Sequence, residues 1–511
     1  MNGSLLQAPI FSEGASTGAR FVYVTGTVTI GATGSITLAA GSGAGLNINS
    51  LSGVSTLINQ GIIRNQAPTE TLLINTNINF TNSGTLDAQA GGTLRVNATN
   101  WTTPGTIAAS GGGIIQLDGT LDTTAGEGTF NTAGGVVRVE GTITNTGNTI
   151  DLTIATGSWS MFGGTINGGT FNFTGGASIQ LTTSGGRLAG VDVNGDLIAG
   201  VTNSYVEITG TTRFEVARLQ NNNSNIRLFD GYILLDDIVG EGVAAGARIV
   251  YLTGTVTIGA TGSVTIAPVT GAGLNLTNLS GVTTLINQGL MSSEAAGRTL
   301  QINSTNFTHS GELRALGGGI ISRDSGIVPF VNSGVITLGP ASRLNIGGDF
   351  TNGPTGIINI QLGGANPTGN HGRIVVANDN TPETTGAAIL DGTLNVTLAG
   401  AYTPVRFDRF DAVTAVSVTG TFDAVTFPVP ALNRKWVTLY EATRVQLLYT
   451  SIADFDNSGS IQSPDITSFL SAWFADIQNG TTVADFNHDG VTGSSDITAF
   501  LSAWFFALGG G

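Results

Sequence analysis

Cysteine is absent from the 511 residues, which excludes disulfides, zinc–thiolate sites and cysteine catalysis. Lysine occurs once, as Lys435. Charged residues make up only 10% of the chain, well under the roughly 25% usual for globular proteins. The formal net charge is −15, which argues against nucleic acid or an anionic membrane as partner and suits a cation-rich exterior. No apolar run approaches the ~18 residues of a membrane span. The opening MNGSLLQAPIF lacks the basic start and apolar stretch of a signal peptide. Proline is scarce, at 13 residues, and apolar residues recur throughout, so the chain does not read as disordered.

What is present is glycine, 76 residues of it, with Thr, Ser and Asn carrying the polarity. Val, Ile, Thr and Leu alternate with small polar residues, the pattern of strands joined by tight turns. One stretch occurs twice. Arg20–Gly61 reads RFVYVTGTVTIGATGSITLAAGSGAGLNINSLSGVSTLINQG, and Arg248–Gly289 repeats it without a gap, since 251 − 23 = 228 and 289 − 61 = 228. The match extends upstream, where Leu6, Ile10 and Glu13 correspond to Leu234, Ile238 and Glu241. The chain therefore opens part-way into a unit, which predicts further units upstream of Met1.

A shorter period lies within the long one. Phe80-TNSGTL, Trp101-TTPGTI, Phe307-THSGEL, Phe330-VNSGVI and Phe350-TNGPTGI share one pattern, and the steps between them are 101 − 80 = 21, 330 − 307 = 23 and 350 − 330 = 20. This spacing predicts a mainly β fold, a β-solenoid (β-helix) over residues 1–366, in which each turn lays down short strands and the chain stacks on itself. Alternate aliphatics such as Val28 and Ile30 should point inward, with Gly and Asn at the corners. The pattern resembles the right-handed parallel β-helix passenger regions of bacterial autotransporter-like and filamentous adhesins. Asn-x-Ser/Thr triplets at Asn79, Asn97, Asn172, Asn275 and Asn395 read as rung residues rather than glycan acceptors.

Residues 367–450 change character: charge rises, aromatics cluster, and strand alternation is strong at Leu394, Val396 and Leu398. This segment is expected to be a β-strand module that caps the open edge of the last turn. Phe407, Phe410 and Trp436 read as buried strand aromatics before they read as a carbohydrate platform.

Residues 451–511 carry the chemical signal. Asp454, Asp456, Ser458 and Asp465 stand at positions 1, 3, 5 and 12 of a calcium-loop spacing with Gly459 at position 6. Asp485, Asn487, Asp489 and Asp496 repeat it around Gly490, with 485 − 454 = 31. Calcium takes six to eight hard oxygens, and a tight loop of alternating side chains supplies them. The backbone carbonyls of Ser460 and Val491 would fill position 7, with water near Gln462 and Gly493. Each loop runs into the same amphipathic helix: Ile466, Phe469, Leu470 and Trp473 form one stripe, and Ile497, Phe500, Leu501 and Trp504 repeat it. The paired loop-plus-helix halves resemble the dockerin family, and DFNHDG…SSDITAFLSAW resembles versions in planctomycete-type secreted proteins. That resemblance implies two Ca2+ ions, EF-hand-like ligation at the positions just named, and docking to a cohesin-like protein or another copy of the chain. The family's recognition positions hold Ser463-Pro464 and Ser494-Ser495, an asymmetric pair. His488 should point outward.

The best-supported reading is a non-catalytic, secreted or cell-surface structural or adhesive protein, with a calcium-dependent attachment module and a glycan surface as a further partner. Two alternatives stand beside it. One is a polysaccharide-active β-helix enzyme, which would need paired carboxylates on one face. Asp118 and Asp122 are the nearest such pair, and Asp87, Glu127, Asp151, Asp192 and Asp196 are scattered. His309 and His371 offer a serine-hydrolase arrangement little support. The other alternative is a self-assembling filament subunit.

Overall fold

The computed structural model describes residues 3–323, 329–366, 369–376 and 386–509. It divides into two compact units, Met1–Gly289 with Ser304–Asn306, and Leu290–Asn303 with Phe307–Gly511. Both contain stacks of short parallel strands, about 15 turns of β-solenoid between them, and the second also carries antiparallel strands and two helices. Among the described residues no helix is long and apolar enough to cross a membrane.

In the first unit most turns lay down three strands, one on each of three faces; the turn from Tyr205 to Leu219 has two, with only an isolated bridge at Arg213 on the second face. Ser4–Leu6, Thr27–Ile30, Ser55–Asn59, Ile78–Asn82 and Asn100–Thr102 pair in parallel along the first face. Pro9–Ser12, Ser35–Leu38, Ile62–Asn65 and Thr85–Ala88 do so on the second. Arg20–Val24, Leu46–Ser50, Thr71–Ile74 and Thr93–Val96 line the third. Neighbouring turns satisfy each other's backbone groups at about 4.8 Å spacing, so no crossover helix is needed. Alternation puts one side chain inward and the next outward: Leu57, Phe80, Trp101 and Leu121 stack in one buried column.

The recurring aromatic-Thr-Asn-Ser-Gly step supplies a corner. The aromatic enters the core, and the buried Asn bonds the next turn's corner, as Asn59 Nδ2 does to Asn82 Oδ1 at 2.8 Å. The glycine is required by close approach: a Cβ on Gly84 would sit 2.2 Å from the Gly61 carbonyl oxygen. In the second unit Phe307, Phe330 and Phe350 stack at 5.6 and 5.8 Å. Asn332 Nδ2 bonds Asn352 Oδ1 at 2.7 Å, and His309 pairs in register with Asn332.

The duplicated stretches place their strands at matching positions, Arg20–Val24 with Arg248–Leu252 and Leu46–Ser50 with Leu274–Asn278. They lie one face apart, however. Arg20–Val24 belongs to the third face, whereas Arg248–Leu252 pairs with Asn225–Leu228 on the first. The offset between the copies thus amounts to ten turns and one strand, traced from Val28 through Leu57 and its successive partners to Leu252. The three faces are interchangeable because each strand follows the same in–out alternation.

Parallel pairing does not stop at residue 366. Ile357–Leu362 pairs with Thr393–Leu398, which pairs with Ala424–Thr426. The switch to antiparallel pairing comes at Arg444–Ser451, which lies between Asp408–Thr414 and Arg434–Glu441. This hairpin closes the sheet. Phe410 is fully buried there, against Trp436 at 6.0 Å, as expected of a core aromatic, whereas Trp436 is half-buried and Phe407 lies in the turn before the strand, also half-buried.

Candidate metal centre

The tail begins just after the last strand. Helix α1 (Ser463–Asn479) and helix α2 (Ser494–Leu508) each follow one loop. Phe469 of α1 stacks on Phe500 of α2 at 4.2 Å and 6° between planes. Phe455 and Phe486, the second residues of the loops, close on this pair edge-on. The contacts are reciprocal: Trp473 Nε1 donates to the Gly493 carbonyl at 2.7 Å, and Trp504 Nε1 to the Gln462 carbonyl at 3.3 Å. Both apolar stripes therefore face one shared core.

The loops fold alike. Asp454 Oδ2 accepts from the Gly459 N–H at 2.9 Å, and Asp485 Oδ2 from the Gly490 N–H at the same distance. Asp465 Oδ2 accepts from Gln462 N–H and Asp496 Oδ2 from Gly493 N–H, both at 2.8 Å. The other oxygen of each reaches back to the third loop residue, Asp456 or Asn487. Gly459 and Gly490 have φ of 79° and 91°, the left-handed turn that glycine takes without strain. Asn457 and His488 have φ of 60° and 58°, and His488 is exposed, outward as expected.

In the first loop the carboxylates of Asp454, Asp456 and Asp465 converge, with one oxygen of each within 4.8 Å of the others. Asp454 is fully buried, and its Oδ1 has no hydrogen-bond partner. A buried carboxylate oxygen left unpaired is costly, and a hard cation between the three acids would remove both that cost and their repulsion. Burial pushes Asp465 up to about 6, with Asp456 beside it adding to the rise. Burial raises Asp454 as well. Burial works against Asp456, yet hydrogen bonds from the Ser458 backbone and hydroxyl hold it below the usual carboxylate range. Ser458 Oγ lies 3.0 Å from Ser460 Oγ, inside the same loop.

The second loop spreads its acids over its own backbone. Asp489 Oδ1 accepts from Val491 N–H at 3.0 Å, and Asn487 Nδ2 donates to Asp489 Oδ2 at 2.9 Å. Burial opposes ionisation of Asp496, but N–H bonds from Asn487 and Gly493 keep it below the ordinary range.

Three contacts to the strand hairpin were not readable from sequence. Lys435, the single lysine, donates to Asn457 Oδ1 at 2.7 Å, and burial lowers its pKa despite the nearby aspartates. Arg409 donates to the Ser458 carbonyl at 2.7 Å. Thr450 Oγ1 donates to Asp454 Oδ2 at 2.6 Å. A fourth missed group is Asp476, which accepts from Ala484 N–H and Thr492 Oγ1 and ties α1 to the linker. The equivalent position of the second half holds Ala507, which has no carboxylate to offer.

The acids proposed for a body active site do not assemble. Asp118 is ion-paired to Arg95 at 2.6 Å, and Asp122 accepts from the Thr124 N–H instead. Asp87 pairs with Arg64 and Asp196 with Arg218. Asp151 accepts from Asn172. His309 is buried among Phe307 and Phe330, and burial pushes it down to about 4. His371 is likewise buried, with both ring nitrogens near carbonyls. The triplet asparagines Asn172 and Asn395 sit in amide ladders with Asn194 and Asn359. Comparison with protein-family models matches no family, and comparison with curated proteins finds no relative.

Proposed function

We propose that the chain is a non-catalytic extracellular structural or adhesive protein: a solenoid that supplies length and surface, ended by a module that attaches it in a calcium-dependent way. The observation that supports the calcium part of this reading is the unpartnered Oδ1 of fully buried Asp454, held beside Asp456 and Asp465. One Ca2+ would take oxygens from Asp454, Asp456, Ser458, Ser460 and Asp465, and a second from Asp485, Asn487, Asp489, Val491 and Asp496. Oxygen-only donors in a loop with a left-handed glycine favour calcium over zinc or copper. We take the solenoid to be right-handed, the hand that parallel strand connections adopt almost without exception.

The attachment face lies on the helices. Phe474 and Phe505, at equivalent positions of α1 and α2, are each 64% exposed, and Phe506 is exposed beside them. Large exposed aromatics on a small module mark a contact surface. A cohesin-like protein or a second copy of the chain is the partner this symmetric pair fits.

Limited proteolysis of the full chain tests the metal. Millimolar calcium should slow cleavage within residues 451–509 at least tenfold relative to chelator, and magnesium should protect far less. Equal cleavage in calcium and chelator would remove the basis of the proposal.

A further inference from the structure

The outward side chains of the first face form a column that runs from turn to turn in strict register. Thr120, Thr142 and Thr165 follow one another there, a run of small hydroxyl side chains. The next four positions break that run: Arg187, Glu207, Arg227 and Tyr251. Thr277 then restores it. Successive turns lie about 4.8 Å apart, so the four side chains form a continuous strip about 14 Å long.

The strip has an unusual charge balance. Arginine–acid pairs between adjacent turns recur elsewhere, as in Arg64–Asp87 and Arg213–Asp236, and there each arginine has at least one acid of its own. Arg95 and Arg218 each face two acids. Among the described ion pairs, Glu207 alone is shared by two arginines, Arg187 at 2.7 Å and Arg227 at 3.5 Å. One guanidinium charge is therefore in excess at this spot, on a chain whose net charge is −15. Tyr205 lies beside the strip, with Arg227 over its ring at 3.7 Å. Two surface depressions meet at Tyr205. One, of about 540 Å³, is lined by Arg227, Tyr251 and the amides of Asn203, Asn223 and Asn225. The other, of about 310 Å³, is lined by Arg187, Glu207 and Ser184.

From this arrangement we infer that the strip is a binding site for a polyanionic polysaccharide, a chain of sugars bearing carboxylate or sulfate groups. Tyr251 offers flat apolar surface with a polar edge, which suits the face of a sugar ring, while Tyr205, lying between Arg227 and Gly185, holds that guanidinium in place. Guanidinium groups bond carboxylate and sulfate oxygens through paired N–H donors. The amides bond hydroxyls. An elongated polymer fits a strip that runs across four successive turns better than a compact ligand does. The charge of the rest of the chain repels polyanions, so capture would be local to this site. The inference stands on the body alone and does not depend on the calcium reading of the tail.

Affinity electrophoresis of the full chain, run throughout in chelator, tests it. Gels would contain alginate (carboxylate), dextran sulfate (sulfate) or neutral dextran. The expected result is retardation by at least one of the two polyanions and none by dextran, weakening as salt is raised. Arg187→Ala, at a half-exposed position, and Tyr251→Ala should each weaken retention at least fivefold, and the pair Arg187→Ala/Arg227→Ala more than twentyfold, with melting temperatures near that of the parent. Arg64→Ala, which breaks a balanced pair on another face, should bind as the parent does. Absence of retardation in both polyanions, equal retardation in dextran, or full retention by the Arg187→Ala/Arg227→Ala variant would each overturn the proposal.

Discussion

The two halves of the tail share a loop, a helix and a phenylalanine pair, yet they stand in different electrostatic surroundings. The first loop is pressed against the strand hairpin, and its buried Asp454 is held by Thr450 while Lys435 and Arg409 bond the loop between its acids. Its closing residue Asp465 is pushed up to about 6. The second loop is more open, and its closing residue Asp496 is held below the usual range by backbone N–H groups. The same pair of backbone N–H bonds holds both closing residues, yet one is raised and the other lowered. Both closing residues are fully buried, and the difference lies around them: the first loop packs against the hairpin and sets the carboxylate of Asp456 beside Asp465, where the second loop has the neutral amide of Asn487.

The largest expected effect erases the comparison. Phe469→Ala removes half of the stack both loops lean on, should cost about 3–5 kcal/mol, and should weaken calcium uptake at both sites together. Calorimetric melting and calcium titration of the variant read this out.

Separating the halves comes next. Asp454→Ala should abolish uptake at one site and Asp485→Ala at the other, each leaving a single ion bound. Asp454→Ala should lower the tail's melting temperature further, because Asp454 alone of the two also accepts from Thr450 of the hairpin.

The closing residues should respond with opposite signs in chelator. A carboxyl raised from 3.8 to about 6 binds its proton more tightly when folded. Its contribution therefore falls as pH rises through that interval, and the full cost is present above pH 6. Asp496, whose folded pKa is depressed, contributes stability above its unfolded pKa that is lost as pH falls. Each Asn variant also loses an acceptor for one backbone N–H, so the sign is read from the slope: Asp465→Asn and Asp496→Asn should change the pH dependence of melting in opposite senses. Thermal melts of the two variants as a function of pH check the signs.

The smallest effect sharpens the comparison. Lys435→Met removes a cation that shares the first loop's field, and should tighten calcium there about threefold while leaving the second site unchanged. Titration at two well-separated affinities resolves the pair.

Much of this was legible in the chain. The regular spacing of Phe80, Trp101, Phe330 and Phe350 marks turns of a coil because an inward apolar side chain recurs once per turn beside a corner. The loops were legible because Asp, Gly and Asp at fixed positions leave the backbone few alternatives. The one-face displacement of Arg248–Gly289 was hidden, since nothing local distinguishes one face of the coil from another. The contacts of Lys435 and Arg409 were hidden too, because they join positions distant in sequence, Lys435 with Asn457 and Arg409 with Ser458. The strip from Arg187 to Tyr251 was missed because each member sits on a separate turn, and the four align only when the turns are stacked.

The most direct test of the central claim is isothermal titration of the full chain with calcium, beginning from metal-free protein at pH 7.5. The account predicts two ions bound per chain, one ion in Asp485→Ala, and no comparable uptake of magnesium. Absence of calcium uptake, or unchanged two-ion uptake after Asp454→Ala and Asp485→Ala are combined, would contradict it.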